Sequence, residues 1–70
     1  MLDPDEPGKR VFVADYIEVR DLAEIFEVKP FKVVARLLEL RLFKHADECI
    51  DFSTAVMLGE KFGVIVERLL

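Results

Sequence analysis

Few side chains in this sequence could carry out chemistry: one histidine, His45, one cysteine, Cys49, the hydroxyls of Ser53 and Thr54, and a scatter of carboxylates. An enzyme needs acid, base and nucleophile groups gathered in a pocket that excludes water. His45 and Cys49 stand four apart, a spacing that joins side chains on a helix, but the stretch around them has no helical periodicity. They read as an edge-strand histidine and a packing cysteine, since a lone buried cysteine behaves as a small hydrophobe. Two soft ligands do not make a zinc site, and a single cysteine excludes any disulfide within the chain. The glycines are isolated at positions 8, 59 and 63, so no glycine loop cradles a phosphate. The expectation is a protein that is not an enzyme, with no catalytic residue, metal, cofactor or small-molecule substrate.

Charge is more informative. The net charge is −4, which argues against broad nucleic-acid affinity, because that affinity comes mainly from neutralising phosphates. The charge is unevenly spread, however. Residues 28–46 hold Lys29, Lys32, Arg36, Arg41 and Lys44 against Glu39 alone, so this segment carries +4 and the remainder −8. These five cations are the candidate contact for RNA phosphates or for an acidic protein. The chain has no Asn or Gln, the side chains suited to reading adenine, so RNA contact here would follow shape and backbone.

The elements that must position these residues can be read in turn. Seventy residues make one domain, and a chain this short buries only about 60% of its unfolded surface. At 53% hydrophobic it is apolar for its size, which calls for a full core or an exposed contact patch. Residues 1–10, acidic with Pro4, Pro7 and Gly8, cannot bury themselves and read as a flexible lead-in; residues 11–70 form the module. That leader is the opposite of a signal peptide, and no apolar run approaches the roughly 18 residues that span a bilayer. A cytoplasmic protein without membrane contact is expected.

Val11–Ala14 is short and apolar, with no partner evident from sequence. Tyr16–Val19 alternates as a short strand does and leads into a helix with Leu22, Ala23 and Phe26 on one face. Glu18 is a poor N-cap for it. Pro30 opens a second helix at the position where its missing N–H costs nothing, and Phe31, Val34, Leu37 and Leu38 make its apolar stripe. Leu42-Phe43 reads as a strand returning beside the first in parallel or mixed pairing. Asp51 is a good N-cap for a third helix, with Ala55, Leu58 and Phe62 inward and Gly63 supplying a left-handed stop. Val64–Val66 is β-branched and reads as a last edge strand, with a helical tail as the alternative. The fold class is α/β (α+β): three helices on a small, short-stranded sheet, in the order strand, helix, helix, strand, helix, strand.

The run Ile17–Gly63 resembles the small amino-terminal module of bacterial translation initiation factor 2. The likeness rests on Val19-x-x-Leu22-Ala23, Val28-Lys29, Val34-x-x-x-Leu38-x-Leu40, Asp51-x-x-Thr54-Ala55 and Glu60-x-Phe62-Gly63. These are mostly core and capping positions, so they specify a fold better than a task. These seventy residues hold no counterpart of the factor's GTP-binding domain, so the resemblance implies a detached binding module. The resemblance implies the element order above, a similarity to stem-contact domains of tRNA synthetases, and a translation-related role touching ribosomal or transfer RNA or associated proteins.

Two departures from the pattern matter. Glu27 and Arg41 stand where the family usually has glycine after a helix; if those positions need positive φ, each costs roughly 1 kcal/mol. Phe31, Phe52 and Val56 stand where the family tends to be polar. Phe52 and Val56, four apart, with Met57 and the tail Leu69-Leu70, suggest a patch for self-association or a protein partner. The second reading is therefore a protein-interaction or homodimerisation module using helix three and the C-terminus. The third is a winged-helix-like DNA-binding regulator with the second helix in the major groove.

Overall fold

A computed structural model describes residues 9–69. In chain order the elements are β1 (Lys9–Val13), β2 (Tyr16–Glu18), α1 (Val19–Phe26), α2 (Pro30–Glu39), β3 (Cys49–Asp51), α3 (Phe52–Phe62) and β4 (Val64–Arg68). Three helices thus pack with four strands in two small sheets, an α+β fold. The lead-in expected over residues 1–10 lies outside the described residues, apart from Lys9 and Arg10, which already belong to β1.

The four strands form two separate pairs. β1 and β4 run parallel, with Val11 opposite Val66, and all the intervening elements form their crossover, as parallel pairing requires. Val11, Val13 and Val66 face the core, and Phe12 points outward. The helical tail considered for the C-terminus gives way to β4. β2 and β3 pair antiparallel, with Ile17 opposite Ile50. The returning strand expected at Leu42-Phe43 is therefore displaced to Cys49–Asp51, and its direction is reversed.

The reason lies in backbone hydrogen bonding. The Leu42 N–H donates to the Leu37 carbonyl at 2.9 Å as part of the end of α2, so it is not available to a ladder. Farther along the loop, the Ala46 and Glu48 carbonyls accept from Arg20 and Val19, the first residues of α1, at 2.8 and 2.9 Å. Glu18 makes no side-chain cap, and the loop satisfies those helix-start donors instead.

All three helices end on a left-handed residue: Glu27 (φ 62), Arg41 (φ 64) and Gly63 (φ 70). After α1 and α2 the N–H that follows the left-handed residue closes back over five residues, Val28 to Ala23 and Leu42 to Leu37, the Schellman arrangement. In each case an aliphatic follows the left-handed residue (Val28, Leu42, Val64) and packs against the core. Two of these three ends lack the glycine that would relieve the strain.

The core gathers Val11 and Val13 from β1, Val19, Leu22, Ala23 and Phe26 from α1, Val33 and Leu37 from α2, Ile50, Ala55, Leu58 and Val66. Phe62 turns inward against Phe26, with ring centroids 5.6 Å apart, and stays half-buried. Gly59 lets α3 lie on β4: a Cβ there would sit 2.6 Å from the Val64 carbonyl oxygen.

One expectation about the core fails. Val34 and Leu38 were expected inside, but α2 is rotated so that Val33 and Leu37 are fully buried, Val34 is half-buried and Leu38 is 48% exposed. Apolar residues fill both i, i+4 pairs, 33/37 and 34/38, so periodicity alone does not choose between them.

Candidate functional site

Helix α2 presents three arcs. Val33 and Leu37, with half-buried Leu40, face the core. Lys29, Lys32 and Arg36, spaced i, i+3 and i+7, lie exposed along one side, spanning about 10 Å at 1.5 Å per residue. Phe31 (64% exposed), Ala35 and Leu38 form a third arc, apolar and outward, edged by Val34, which is half-buried against the core.

The cationic side begins at the N-cap, Lys29, whose extended backbone leads into Pro30. Arg36 donates to Glu39 Oε2 at 2.6 Å, and Lys61 from α3 reaches Glu39 Oε1 at 3.4 Å. The hydrogen bond from Arg36 holds the Glu39 carboxyl below its ordinary range, with Lys61 contributing less. Among the described residues, Lys29 and Lys32 have no ion-pair partner. The side as a whole is positive, with its one carboxylate already engaged.

The other two expected cations lie apart from this stripe. Arg41 is exposed in the left-handed turn beyond the helix. Lys44 is half-buried and lines a hollow with Tyr16, Cys49, Ile50 and Asp51 over the β2–β3 pair, where its charge acts on Asp51. The five cations therefore divide into three on α2, one at its end and one turned to the sheet. A second hollow, at the α1–α2 corner, is lined by Arg20, Asp21, Glu24, Val28, Lys29 and Pro30. Its opposed charges cancel, so it selects no sign of ligand.

The expected apolar patch on α3 is only partly assembled. Phe52 is half-buried beneath the Arg68 guanidinium, 4.6 Å from the ring centroid, a cation–π cover supplied by β4. Val56 is half-buried against the core. Met57 and Leu69 are exposed, and Leu70 lies outside the described residues. Sequence reading missed Leu38 as a surface residue, and also the exposed rings of Tyr16 and Phe43, 72% and 79% accessible. For Phe43 the usable signal was Lys44 and His45 directly after it.

Among the groups considered for chemistry, Cys49 is exposed, not packed as expected. His45 is also exposed, and its backbone N–H donates to Glu48 Oε1 at 2.7 Å. Among the described residues no three His, Cys, Asp or Glu side chains gather as metal ligands, and no helix is long and apolar enough to cross a membrane.

No protein-family model matches the chain. Curated proteins do. Translation initiation factor IF-2 of Finegoldia magna is 33% identical over 60 residues, covering 86% of this chain and 8% of that protein. IF-2 of Syntrophobacter fumaroxidans is 34% identical over 64 residues, 90% of this chain and 7% of that protein. IF-2 of Syntrophomonas wolfei is 38% identical over 52 residues, 74% and 6% respectively. The chain thus spans less than a tenth of the relatives it matches, and the resemblance carried by its core and capping residues holds across most of its own length: it is similar to a small segment of translation initiation factor IF-2.

Proposed function

We propose that this chain is a small, non-catalytic binding module of the translation apparatus that contacts ribosomal or transfer RNA through Lys29, Lys32 and Arg36 on α2, with Arg41 at the end of the helix. The observation that carries the reading is the exposed pair Lys29 and Lys32, without an ion-pair partner among the described residues, on a chain similar to a small segment of IF-2. A rigid helix holds these cations in a row, whereas the rest of the chain is acidic. Other orientations on a polyanion are therefore repelled, and the α2 side is the one that can approach.

Such contacts go to phosphates. With about three or four cations engaged, log K should fall with log salt at a slope of roughly −2 to −4. Sequence preference should be slight, because the chain has no Asn or Gln to read adenine.

The test is fluorescence anisotropy of a labelled RNA hairpin across a salt series, comparing the parent with a Lys29→Ala, Lys32→Ala double variant. Both positions are exposed, so the fold should survive. The slope should become shallower by about 1 to 2. An unchanged slope, or no binding by the parent at low salt, would refute the reading.

A further inference from the structure

The third arc of α2 is unexplained by phosphate contact. Phe31, Val34, Ala35 and Leu38 follow the i, i+3, i+4, i+7 spacing of a helix that packs against another helix, and Phe31, Ala35 and Leu38 lie exposed. Yet α2 already buries Val33 and Leu37 on its other side. A ten-residue helix with two apolar faces is a place where a second surface is expected to dock.

We infer that the occupant is a second copy of this chain, with α2 pairing antiparallel to α2 of its partner across a two-fold axis. Two features of the sequence select this occupant. The first is size: along the arc the order is large, small, small, large (Phe31, Val34, Ala35, Leu38). Reversed on itself, that order sets each Phe31 opposite a Leu38 and each Val34 opposite an Ala35, so the two helices can approach closely at the centre. The second is charge. Lys32 and Glu39 lie on the same flank of the arc, seven residues apart. Under antiparallel two-fold pairing the same flanks meet, which brings Lys32 of each copy towards Glu39 of the other. A parallel pair would set this flank against the partner's opposite flank, where Pro30, Val33 and Leu37 offer no charge to either Lys32 or Glu39. Arg36 and Lys61 hold the Glu39 carboxylate in place on that flank before any partner arrives.

The contact is small. Four side chains per copy fall short of the roughly 800 Å² per partner of a standard interface, so the dissociation constant should be on the order of 100 µM. The contact on α2 also replaces the α3 and C-terminal patch as the surface for self-association, since Arg68 and the core already cover much of Phe52 and Val56.

Sedimentation equilibrium on the whole chain tests this, with circular dichroism to confirm the fold of each variant. The parent's average mass should rise from that of one chain towards two between about 10 µM and 1 mM. Leu38→Glu should stay monomeric over that range, and Phe31→Glu is a second variant should the first not fold. Lys32→Glu and Glu39→Lys should each weaken association severalfold, and the two together should restore it. A parent that is monomeric throughout overturns the proposal, as does a dimer that persists in Leu38→Glu. Single charge reversals without effect overturn the antiparallel register.

Discussion

Helix α3 starts at a side-chain cap and stops at a glycine; helix α2 does neither. The Thr54 N–H donates to Asp51 Oδ1 at 2.9 Å, and Gly63 closes α3 in the left-handed region. Ala55, Leu58 and Gly59 bury one face, and its other large rings, Phe52 and Phe62, lie under Arg68 and against Phe26. By contrast α2 has no side-chain cap, ends at Arg41 with φ 64, buries only Val33 and Leu37, and leaves Phe31 and Leu38 to solvent. The difference separates a helix whose residues serve the fold from one that keeps features the fold does not need. Exposed apolar surface reduces stability, and its presence on α2 beside Lys29 and Lys32, which have no ion-pair partner among the described residues, is what supports the proposal that α2 is the working surface.

The largest expected effect tests which face of α2 is inside. Leu37→Ala should destabilise the domain by about 2–5 kcal/mol. Leu38→Ala, one residue on, should change it by less than about 0.5 kcal/mol at low micromolar concentration. Urea denaturation of the two variants measures the contrast, and equal losses would mean that α2 is rotated from the position described.

Next in size is Gly59→Ala. Alanine normally gains about 1 kcal/mol over glycine within a helix, but here its Cβ would meet the Val64 carbonyl oxygen at 2.6 Å and Val66 Cγ2 at 2.7 Å. Backbone cannot yield as a flexible side chain does, so the clash should win, with a net loss of about 1–3 kcal/mol. A stabilised variant would show that α3 and β4 are farther apart than described.

The helix ends give a smaller, paired effect of opposite sign. Gly63→Ala should cost about 1 kcal/mol through backbone strain alone, since nothing lies within 4 Å of the added methyl. Arg41→Gly should stabilise by about 0.5–1 kcal/mol while removing a cation from the end of α2. Thermal melts read both changes. A stability gain in Arg41→Gly accompanied by weaker RNA binding would sharpen the contrast between the two helices.

The smallest effect is the pH dependence of the α3 cap. Hydrogen bonds from the Thr54 side chain and backbone hold the Asp51 carboxyl below its ordinary value, with Lys44 adding a little. Because the folded value lies below the unfolded one, the stabilisation is complete above the unfolded value, near pH 4. It is lost as pH falls through the folded value. Parent and Asp51→Asn should therefore differ by a constant amount at neutral pH and converge below about pH 4. A gap that stays constant down to pH 2 would show that the charge contributes nothing.

Legibility in the sequence follows the same division. The limits of α3 were readable because its signals are local: a cap at Asp51, a stop at Gly63 and buried Ala55 and Leu58 between them. The strained ends at Glu27 and Arg41 were readable by comparison with the glycine expected there. The inward side of α2 was not, because Val33, Val34, Leu37 and Leu38 satisfy two faces equally. β3 was misplaced because it is only three residues long, too short for its exposed–buried–exposed alternation to stand out, and its last residue, Asp51, is also the cap of α3. β1 lacked a visible partner because its neighbour lies more than fifty residues away. Of the proposed site, the row of Lys29, Lys32 and Arg36 was legible from helical spacing, and the place of Lys44 was not: the loop that caps α1 also carries it away to the β2–β3 pair.

The most direct test of the central claim is a map of backbone amide shifts while an RNA hairpin is titrated into the labelled chain at low salt. The prediction is a continuous set of shifts from Lys29 to Arg41, with α3 and the β1–β4 pair little affected and the whole response collapsing as salt rises. Shifts centred on α3 or on β4, or no shifts at saturating RNA, would contradict the assignment of α2 as the binding surface.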